Sequence, residues 1–443
     1  MCRFNSLKSC KETFSVPSMK LRNIFLAGLA VCTMAGCSKD ETTDYSQMGE
    51  VDAYVSFGVT AALQTKSTVG EGGNEIEKEA KVQKLTALIF KGTDDNATFV
   101  TSETETVEGN ETIRDIKHLV VKVTPTADGT SSIDNFIVVF LGNCKDISTP
   151  ATLGALKNMV LTENADSYAI GSVLPMVSKE IKITGLRPNI KKEDGSTGWY
   201  ENWVKDNGGV VTDATVSQED PQTPPSNYTS ADHVVLTRLI SRVQVESVKL
   251  KLTAYPGASI TLRKIALANV KIQSEFAESM GDYVRGYESE QYRPVQYWIA
   301  PNSTVNENYI SADYALTAGN GEEKTETFSE NKFVKYIFSN AKRTASNVDA
   351  AHTDGIYETG IILVVDFKNA AGVVSTKHMR VLLKDNGTDD VPEVLMNHVY
   401  KLNITITGEG SENEDDIKLN AHVAATIDVA PWNVIEQNEE DAN

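Results

Sequence analysis

Residues 51–63 read VDAYVSFGVTAAL, and apolar side chains fill every second position. Because successive side chains of a β-strand point to opposite faces of a sheet, this period of two predicts a strand with one apolar face. That face comprises Val51, Ala53, Val55, Phe57, Val59, Ala61 and Leu63. Residues 64–73 follow as a polar, Gly-rich stretch, of the kind that is exposed and readily cut by proteases. A cut there would detach the strand.

A second alternating stretch lies near the C-terminus. Its apolar side chains are those of Ile417, Leu419, Ala421, Val423, Ala425, Ile427 and Val429. The opposite face carries Lys418, Asn420, His422, Thr426 and Asp428. Residues 408–416, just before it, are rich in glycine and charge and predict a flexible hinge. The hinge therefore precedes a long amphipathic strand, which ends at Pro431.

Strand signals recur over most of the chain between these two stretches. A first group is predicted at residues 82–90, 119–123, 136–141 and 181–183, with a short helix at 153–161. A second group is predicted at residues 233–238, 242–245, 248–252, 259–265, 295–299, 361–367, 379–383 and 399–406. Many short strands with turn residues between them are typical of β-sandwiches. The chain is therefore predicted to be all-β, with two sandwich domains and few short helices.

A polar segment at residues 191–232 separates the two groups and has few strand signals, so it is predicted to be a long loop or insertion. It contains Trp199 and Trp203. Their amphipathic rings could contact a ligand or could pack onto their own domain. Packing is the commoner fate, and contact with a ligand is the second interpretation.

The composition excludes several classes of protein. Hydrophobic residues make up 40% of the chain and charged residues 23%, which are globular proportions, and 443 residues suit two domains better than one. A formal net charge of −19 repels phosphate backbones. The six histidines are never paired at metal-ligand or catalytic spacing. We therefore expect no enzyme activity, metal, cofactor or nucleic-acid partner.

Residues 19–37 have the layout of a secretory leader, with charges at Lys20 and Arg22, an apolar run at 24–31 and small residues before Cys37. The segment resembles a lipobox, which implies cleavage before Cys37 and a lipid on its thiol. The rival interpretation is a membrane-spanning anchor, but the run is far shorter than the roughly 20 residues that a bilayer requires. Residues 1–18 precede a complete leader, so Met19 is a candidate start.

The two alternating strands suggest how copies of the chain could assemble. If the first strand were cut away, its place would become an apolar groove whose flanking strands have unpaired N–H and C=O groups. The C-terminal strand of another copy could fill that groove by strand addition. Donor and acceptor on opposite ends of one chain would build an open filament. The alternative is that both strands simply belong to their own domains, and periodicity alone does not decide.

Several motifs resemble the fimbrillin family, the subunits of type V pili of anaerobic Gram-negative bacteria. They are residues 37–39, 55–63, 236–238, 241–243, 397–404 and 429–433. The resemblance implies two tandem transthyretin-like sandwiches, a lipidated (palmitate-bearing) outer-membrane precursor, removal of the first strand by a maturation protease, and polymerisation by donor-strand exchange with itself and related subunits. The implied segments are a signal peptide at 1–36, a lipidated prosegment at 37–66, sandwiches at 67–232 and 233–410, and a hinge with the donor strand at 411–443.

The chain departs from the family pattern at the cleavage site. The family's protease commonly cuts after arginine, yet no arginine lies between Cys37 and Arg114. Lys66 occupies the comparable place, so cleavage between Lys66 and Ser67 is a hypothesis. Without that cut the chain would keep its lipid and resemble an anchor subunit. A tip subunit or a surface adhesin that binds a host ligand or glycan is the other alternative.

Overall fold

The computed structural model describes residues 43–61, 78–145, 147–159, 168, 172–191, 195–213, 223–268, 276, 316–319, 321–327, 334–340, 359–383, 394–412 and 423–431. Within these ranges β-strands predominate and helices are few and short, as predicted. The helices are α1 (Leu153–Lys157) and the 3₁₀ turns Tyr45–Met48 and Ser230–Asp232. The Thr152 hydroxyl accepts a hydrogen bond from the Ala155 N–H at 3.2 Å and so caps the start of α1.

Twelve strands precede residue 239 in the described part of the chain. They are β1 Val51–Ala61, β2 Lys84–Lys91, β3 Thr98–Thr106, β4 Asp115–Val123, β5 Asn135–Gly142, β6 Met176–Ser178, β7 Ile181–Thr184, β8 Ile190–Lys191, β9 Thr197–Gly198, β10 Glu201–Val204, β11 Val210–Asp213 and β12 Val234–Arg238. Nine more follow in the described residues. They are β13 Ile240–Lys251, β14 Ser259–Ala268, β15 Leu316–Gly319, β16 Glu323–Thr327, β17 Val334–Phe338, β18 Gly360–Lys368, β19 Val374–Leu382, β20 His398–Ile406 and β21 Val423–Pro431.

The first sheet has ten strands in the order β11-β10-β1-β12-β6-β5-β2-β3, with β4 also paired to β1 and β7 to β5. β1 therefore lies inside the sheet although it is first in sequence. Its apolar side chains join those of β2, β4, β5 and β12 in one buried cluster that includes Phe57, Leu119, Phe140 and Leu236. The predicted boundary at residue 233 falls before β12, and the structure hydrogen-bonds β12 into this first sheet.

The later strands form two sheets. One has the order β16-β13-β20-β21, with β17 paired to β13, and the other has the order β15-β14-β18-β19. Side chains of both sheets share a second apolar cluster, which contains Leu250 of β13, Leu262 of β14, Leu363 of β18 and Leu402 of β20. Burial of these faces against each other holds the two sheets together. The tandem transthyretin-like arrangement stays a prediction.

Most strands predicted from alternation are present within a few residues of their expected ends. The prediction of a long loop at 191–232 is wrong, because this segment supplies β9, β10, β11 and a 3₁₀ turn. Short, polar strands give no clear period, and β10 becomes a strand by pairing with β1, about 150 positions earlier. The strand predicted at 295–299 lies outside the described residues.

Candidate strand-exchange site

The first strand has a neighbour along each of its edges. β4 runs antiparallel to it from Val51 opposite Val123 to Gly58 opposite Asp115. On the other edge β10 pairs in parallel with residues 54–56, and β12 pairs in parallel with residues 59–61. Departure of β1 would therefore leave unpaired backbone N–H and C=O groups on three strands at once.

The apolar face of β1 is fully enclosed. Val55, Phe57, Val59 and Ala61, four residues of the predicted groove strand, are all at most 6% exposed, and Leu63 lies outside the described residues. The ring of Phe57 packs edge-on against Phe140 with 4.9 Å between centroids. Removing these side chains would open an apolar slot in the first sheet.

The opposite face of β1 is buried as well. Tyr54 is 4% exposed, and its ring stacks on Trp199 with 5.8 Å between centroids and 4° between planes. The His118 ring lies on Tyr54 with 3.9 Å between centroids. Alternation predicted one apolar face for this strand, but the structure covers both. Any strand that replaces β1 must therefore satisfy polar contacts as well as apolar ones.

A buried carboxylate holds the middle of β1. The Ser56 hydroxyl donates to Glu201 Oε1 at 2.7 Å and accepts from the His118 N–H at 3.0 Å. His118 Nδ1 lies 3.0 Å from Glu201 Oε2. Burial raises the pKa of Glu201, and the hydrogen bonds from Ser56 and His118 partly offset that rise. A β-bulge between Val55 and Phe57, with His118 at φ 60°, brings these groups together.

Gly58 allows the ring of His233 to lie directly against the backbone of β1. A Cβ at this position would lie 2.4 Å from Cδ2 of the His233 ring, which no side chain tolerates without movement. The Gly58 N–H donates to the Tyr228 hydroxyl at 2.8 Å, and that hydroxyl donates to the Val204 carbonyl at 3.1 Å. Burial raises the pKa of Tyr228 to about 12, so its hydroxyl stays protonated and keeps its role as a donor.

A second buried polar cluster fixes the chain just beyond residues 62–77. Arg242 Nη1 donates to the two carboxylate oxygens of Glu79 at 3.1 and 3.4 Å, and the Tyr336 hydroxyl also donates to that carboxylate. Arg238 Nε donates to the Glu79 carbonyl at 3.0 Å. Burial lowers the pKa of Arg238 to about 10, which still leaves it charged at neutral pH. Glu79 is thus tied to β12, β13 and β17, independently of β1.

The predicted donor strand occupies a different position from β1. β21 pairs antiparallel with β20, from Ile406 opposite Val423 to His398 opposite Pro431. It ends the strand order of its sheet, so among the described strands it has one hydrogen-bonded neighbour. The backbone of four predicted donor residues, Val423, Ala425, Ile427 and Val429, lies in β21, whereas Leu419 and Ala421 lie outside the described residues.

The remaining predicted residues separate into two groups. Cys37, Lys66 and Ser67 lie outside the described residues. Trp203 is 1% exposed and packs against Tyr228 with 5.2 Å between centroids, so it is not available to a ligand in this conformation, whereas Trp199 is partly exposed. Sequence reasoning missed the roles of Glu201, His118 and Glu79. One feature of the sequence indicated the Glu79 cluster: its partners Arg238 and Arg242 lie in the motifs 236–238 and 241–243, which resemble the fimbrillin family.

Neither a metal centre nor a membrane span is found in the part of the chain that the structure describes. No group of three or more His, Cys, Asp or Glu side chains there is arranged to hold a metal ion. No described helix reaches the length and hydropathy needed to cross a bilayer.

Known proteins match this chain along most of its length. The model of the family described as "Major fimbrial subunit protein (FimA)" matches residues 53–233, which contain β1, β4 and β10. Over these residues the chain is similar to the major fimbrial subunits. Two fimbrillin relatives from Porphyromonas gingivalis, the major fimbrium subunits FimA type-5 and FimA type-2, are 22% and 21% identical to it. Both alignments cover 95% of this chain and 99% of the relative.

A solved structure supports the fold of this chain. The crystal structure of a fimbrilin (FimA) from Porphyromonas gingivalis W83 aligns with a TM-score of 0.50 at 17% sequence identity. The alignment covers 88% of this chain and 99% of the solved chain. The two proteins therefore share their β-rich architecture although few side chains are the same.

Proposed function

We propose that this protein is a structural subunit of a cell-surface fimbria, supports adhesion, and polymerises by donor-strand exchange. In this mechanism β1 leaves its slot, and β21 of a neighbouring subunit takes its place. The observation that carries the proposal is that β1, the first strand in sequence, lies between β4 on one side and β10 and β12 on the other. The major fimbrium subunits among its relatives support the subunit role.

The energetics favour a joint between subunits that lasts. Filling the slot with about seven apolar side chains contributes roughly 10 kcal/mol, at about 1.5 kcal/mol for each. Hydrogen bonds to both flanking strands add to this, whereas ordering the donor tail subtracts part of it. The edge position of β21 pairs it to a single strand, so its release breaks one ladder and its insertion forms two. Once β1 has left, insertion of β21 therefore forms more strand pairings than its release breaks.

Proteolytic maturation would empty the slot by releasing β1. We propose that Cys37 carries lipid in an outer-membrane precursor and that a protease cuts between Lys66 and Ser67, which separates the prosegment 37–66 from the sandwiches at 67–232 and 233–410. Glu79 supports this order of events. Its buried contacts with Arg242 and Tyr336 tie the chain downstream of the cut to later strands, so that release of β1 need not release β2.

Polymer ladders on unboiled gels test the proposal. The full-length chain, produced in a fimbria-forming Gram-negative host, is expected to give a ladder of oligomers. Truncation after Glu412 should abolish the ladder. This cut point keeps the backbone pairing of Ser411 with His378, so that β19 stays intact. A truncated chain that still forms the full ladder would exclude β21 as the donor.

A role as a tip or anchor subunit would follow from a different maturation. An anchor subunit would keep its lipid, and the assembled protein would then begin at Cys37 rather than at Ser67. N-terminal sequencing of the polymer separates these cases. A shaft subunit is the role proposed here, and a start at Cys37 in every copy would contradict it.

A further inference from the structure

The slot left by β1 contains a buried carboxylate whose partners would change during exchange. Glu201 has no exposed surface, and one of its two oxygens accepts from the Ser56 hydroxyl of β1. Departure of β1 would remove that donor and leave His118 as the neighbouring group. A buried carboxylate that loses a hydrogen bond is costly. An incoming strand that places a hydrogen-bond donor at this position would therefore be bound more stably than one that does not.

We propose that Thr426 of the incoming strand occupies the place of Ser56 and donates its hydroxyl to Glu201, which sets the register of the joint between subunits. This inference rests on the proposed exchange of β1 for β21. Thr426 bears the one hydroxyl group in residues 417–431. The slot therefore suits a strand that has a small hydroxyl side chain on its polar face.

The size and charge of the slot disfavour the other polar residues of the donor. Ser56 is 1% exposed, and its oxygen contacts both Glu201 and the His118 backbone, so the space suits a side chain about as small as serine. Lys418, Asn420 and His422 are larger, and Asp428 would bring a second carboxylate next to the first. Threonine adds one methyl group to the serine that it replaces.

Before exchange, Thr426 has a defined neighbour on β20. Thr426 lies in register with Asn403 of β20. The Asn403 side chain accepts from the Ser247 hydroxyl at 2.5 Å and donates to Glu246 Oε2 at 3.2 Å, beside a β-bulge between Val245 and Ser247. These hydrogen bonds run from β20 to β13, on the side of β20 away from β21, so release of β21 leaves them in place.

A pair of substitutions tests the hydroxyl. In the full-length chain, Thr426→Val keeps the shape of the side chain and removes the hydroxyl, whereas Thr426→Ser keeps the hydroxyl. The valine variant should form polymers that dissociate on heating about tenfold faster than wild type, because each joint lacks a hydrogen bond to a charged group. The serine variant should match wild type. Equal dissociation rates for all three proteins would overturn the proposal.

Disulfide trapping tests the register directly. Val120 on β4 lies opposite Tyr54 and is 45% exposed, so a cysteine there is accessible. With Thr426 in the place of Ser56, residue 428 or residue 424 lies opposite position 120, depending on the direction of insertion. Val120→Cys combined with Asp428→Cys or with Ala424→Cys should therefore cross-link neighbouring subunits. Each single-cysteine variant is the control for reaction with the native thiols.

The outcomes separate this inference from the exchange mechanism itself. Val120→Cys combined with His422→Cys reports a shifted register, and a cross-link there, with none at positions 424 or 428, would overturn the role of Thr426. A ladder that survives truncation after Glu412 would contradict the exchange mechanism. A ladder that needs residues 413–443 but gives no cross-link at 424 or 428 contradicts the register alone.

Discussion

At the scale of single residues, two buried glutamates are held by hydrogen bonds from several strands. Glu201 and Glu79 have at most 2% of their surface exposed, and each carboxylate is hydrogen-bonded to groups from other strands. A buried charge is tolerated when it is paired, and removal of one partner leaves the other without compensation. The two glutamates therefore govern stability in different ways, one through its pKa and one through its ion pair.

Glu201→Gln should change how stability depends on pH. Burial raises the folded-state pKa of Glu201 above 4.5, so its contribution is fully present below pH 4.5 and is lost as pH rises through the raised pKa. Glutamine has no charge to desolvate while it still faces Ser56 and His118. The free energy of unfolding of the variant should therefore increase relative to wild type between pH 4.5 and neutral pH, measured by urea unfolding. Exposed Glu108→Gln is the control, and parallel curves for the Glu201 variant would refute the prediction.

Glu79→Ala should destabilise the protein strongly. Arg242 would lose its carboxylate partner while 3% exposed, and breaking a buried ion pair in this way costs about 3–5 kcal/mol. Urea unfolding of the full chain measures the difference. Glu108→Ala, at an exposed turn, should stay within about 0.5 kcal/mol of wild type. A loss below about 1 kcal/mol at Glu79 would mean that water reaches Arg242.

At the scale of elements, the burial of β1 depends on its neighbouring strands more than on its own alternating pattern. Residues 53–59 are all buried, so the polar face of this alternating strand is as enclosed as the apolar face. β10 provides that cover, with Trp203 in register with Ser56 and Glu201 in register with Tyr54. The segment predicted to be a long loop, with ligand contact as the second interpretation, instead supplies a strand beside the one that we expect to be exchanged.

Substitutions at Trp203 test whether β10 is structural. Trp203→Ala removes a large side chain that is 1% exposed and should cost about 3–5 kcal/mol of the free energy of unfolding. Trp203→Phe should cost less than Trp203→Ala, because it keeps an aromatic ring and because the indole N–H has no hydrogen-bond partner among the described residues. Thermal or urea unfolding measures both. Equal, small losses for the two variants would indicate that Trp203 is exposed in solution and available to a ligand.

At the scale of the whole molecule, the order of the strands in space differs from their order in sequence. The first strand lies inside the first sheet, and the last described strand lies at the end of another sheet. A chain with a removable internal strand at one terminus and an edge strand at the other has a donor and an acceptor for open-ended assembly. This arrangement agrees with the fimbrial subunits to which the chain is related.

Lys66→Ala should block assembly without unfolding the protein. If the cut between Lys66 and Ser67 releases β1, the variant keeps the strand in its slot and cannot accept a donor. We expect the polymer ladder to disappear, while the unfolding midpoint of the monomer stays that of the uncut wild type. Mass spectrometry of the product should show residues before Ser67 retained. Lys78→Ala, outside the candidate site, is the matched control. A wild-type ladder from the Lys66 variant would place the cut elsewhere.

The sequence alone determined the strand content, the two long alternating strands and most strand positions, because a period of two records which side chains face a core. It could not determine β10, because Glu201–Val204 has no alternation and is a strand through its pairing with β1 and β11. The same holds for Glu79, which lies 163 positions from Arg242. Periodicity is local information, whereas the partners of a buried charge and the neighbours of a strand depend on which distant segments the tertiary structure brings together.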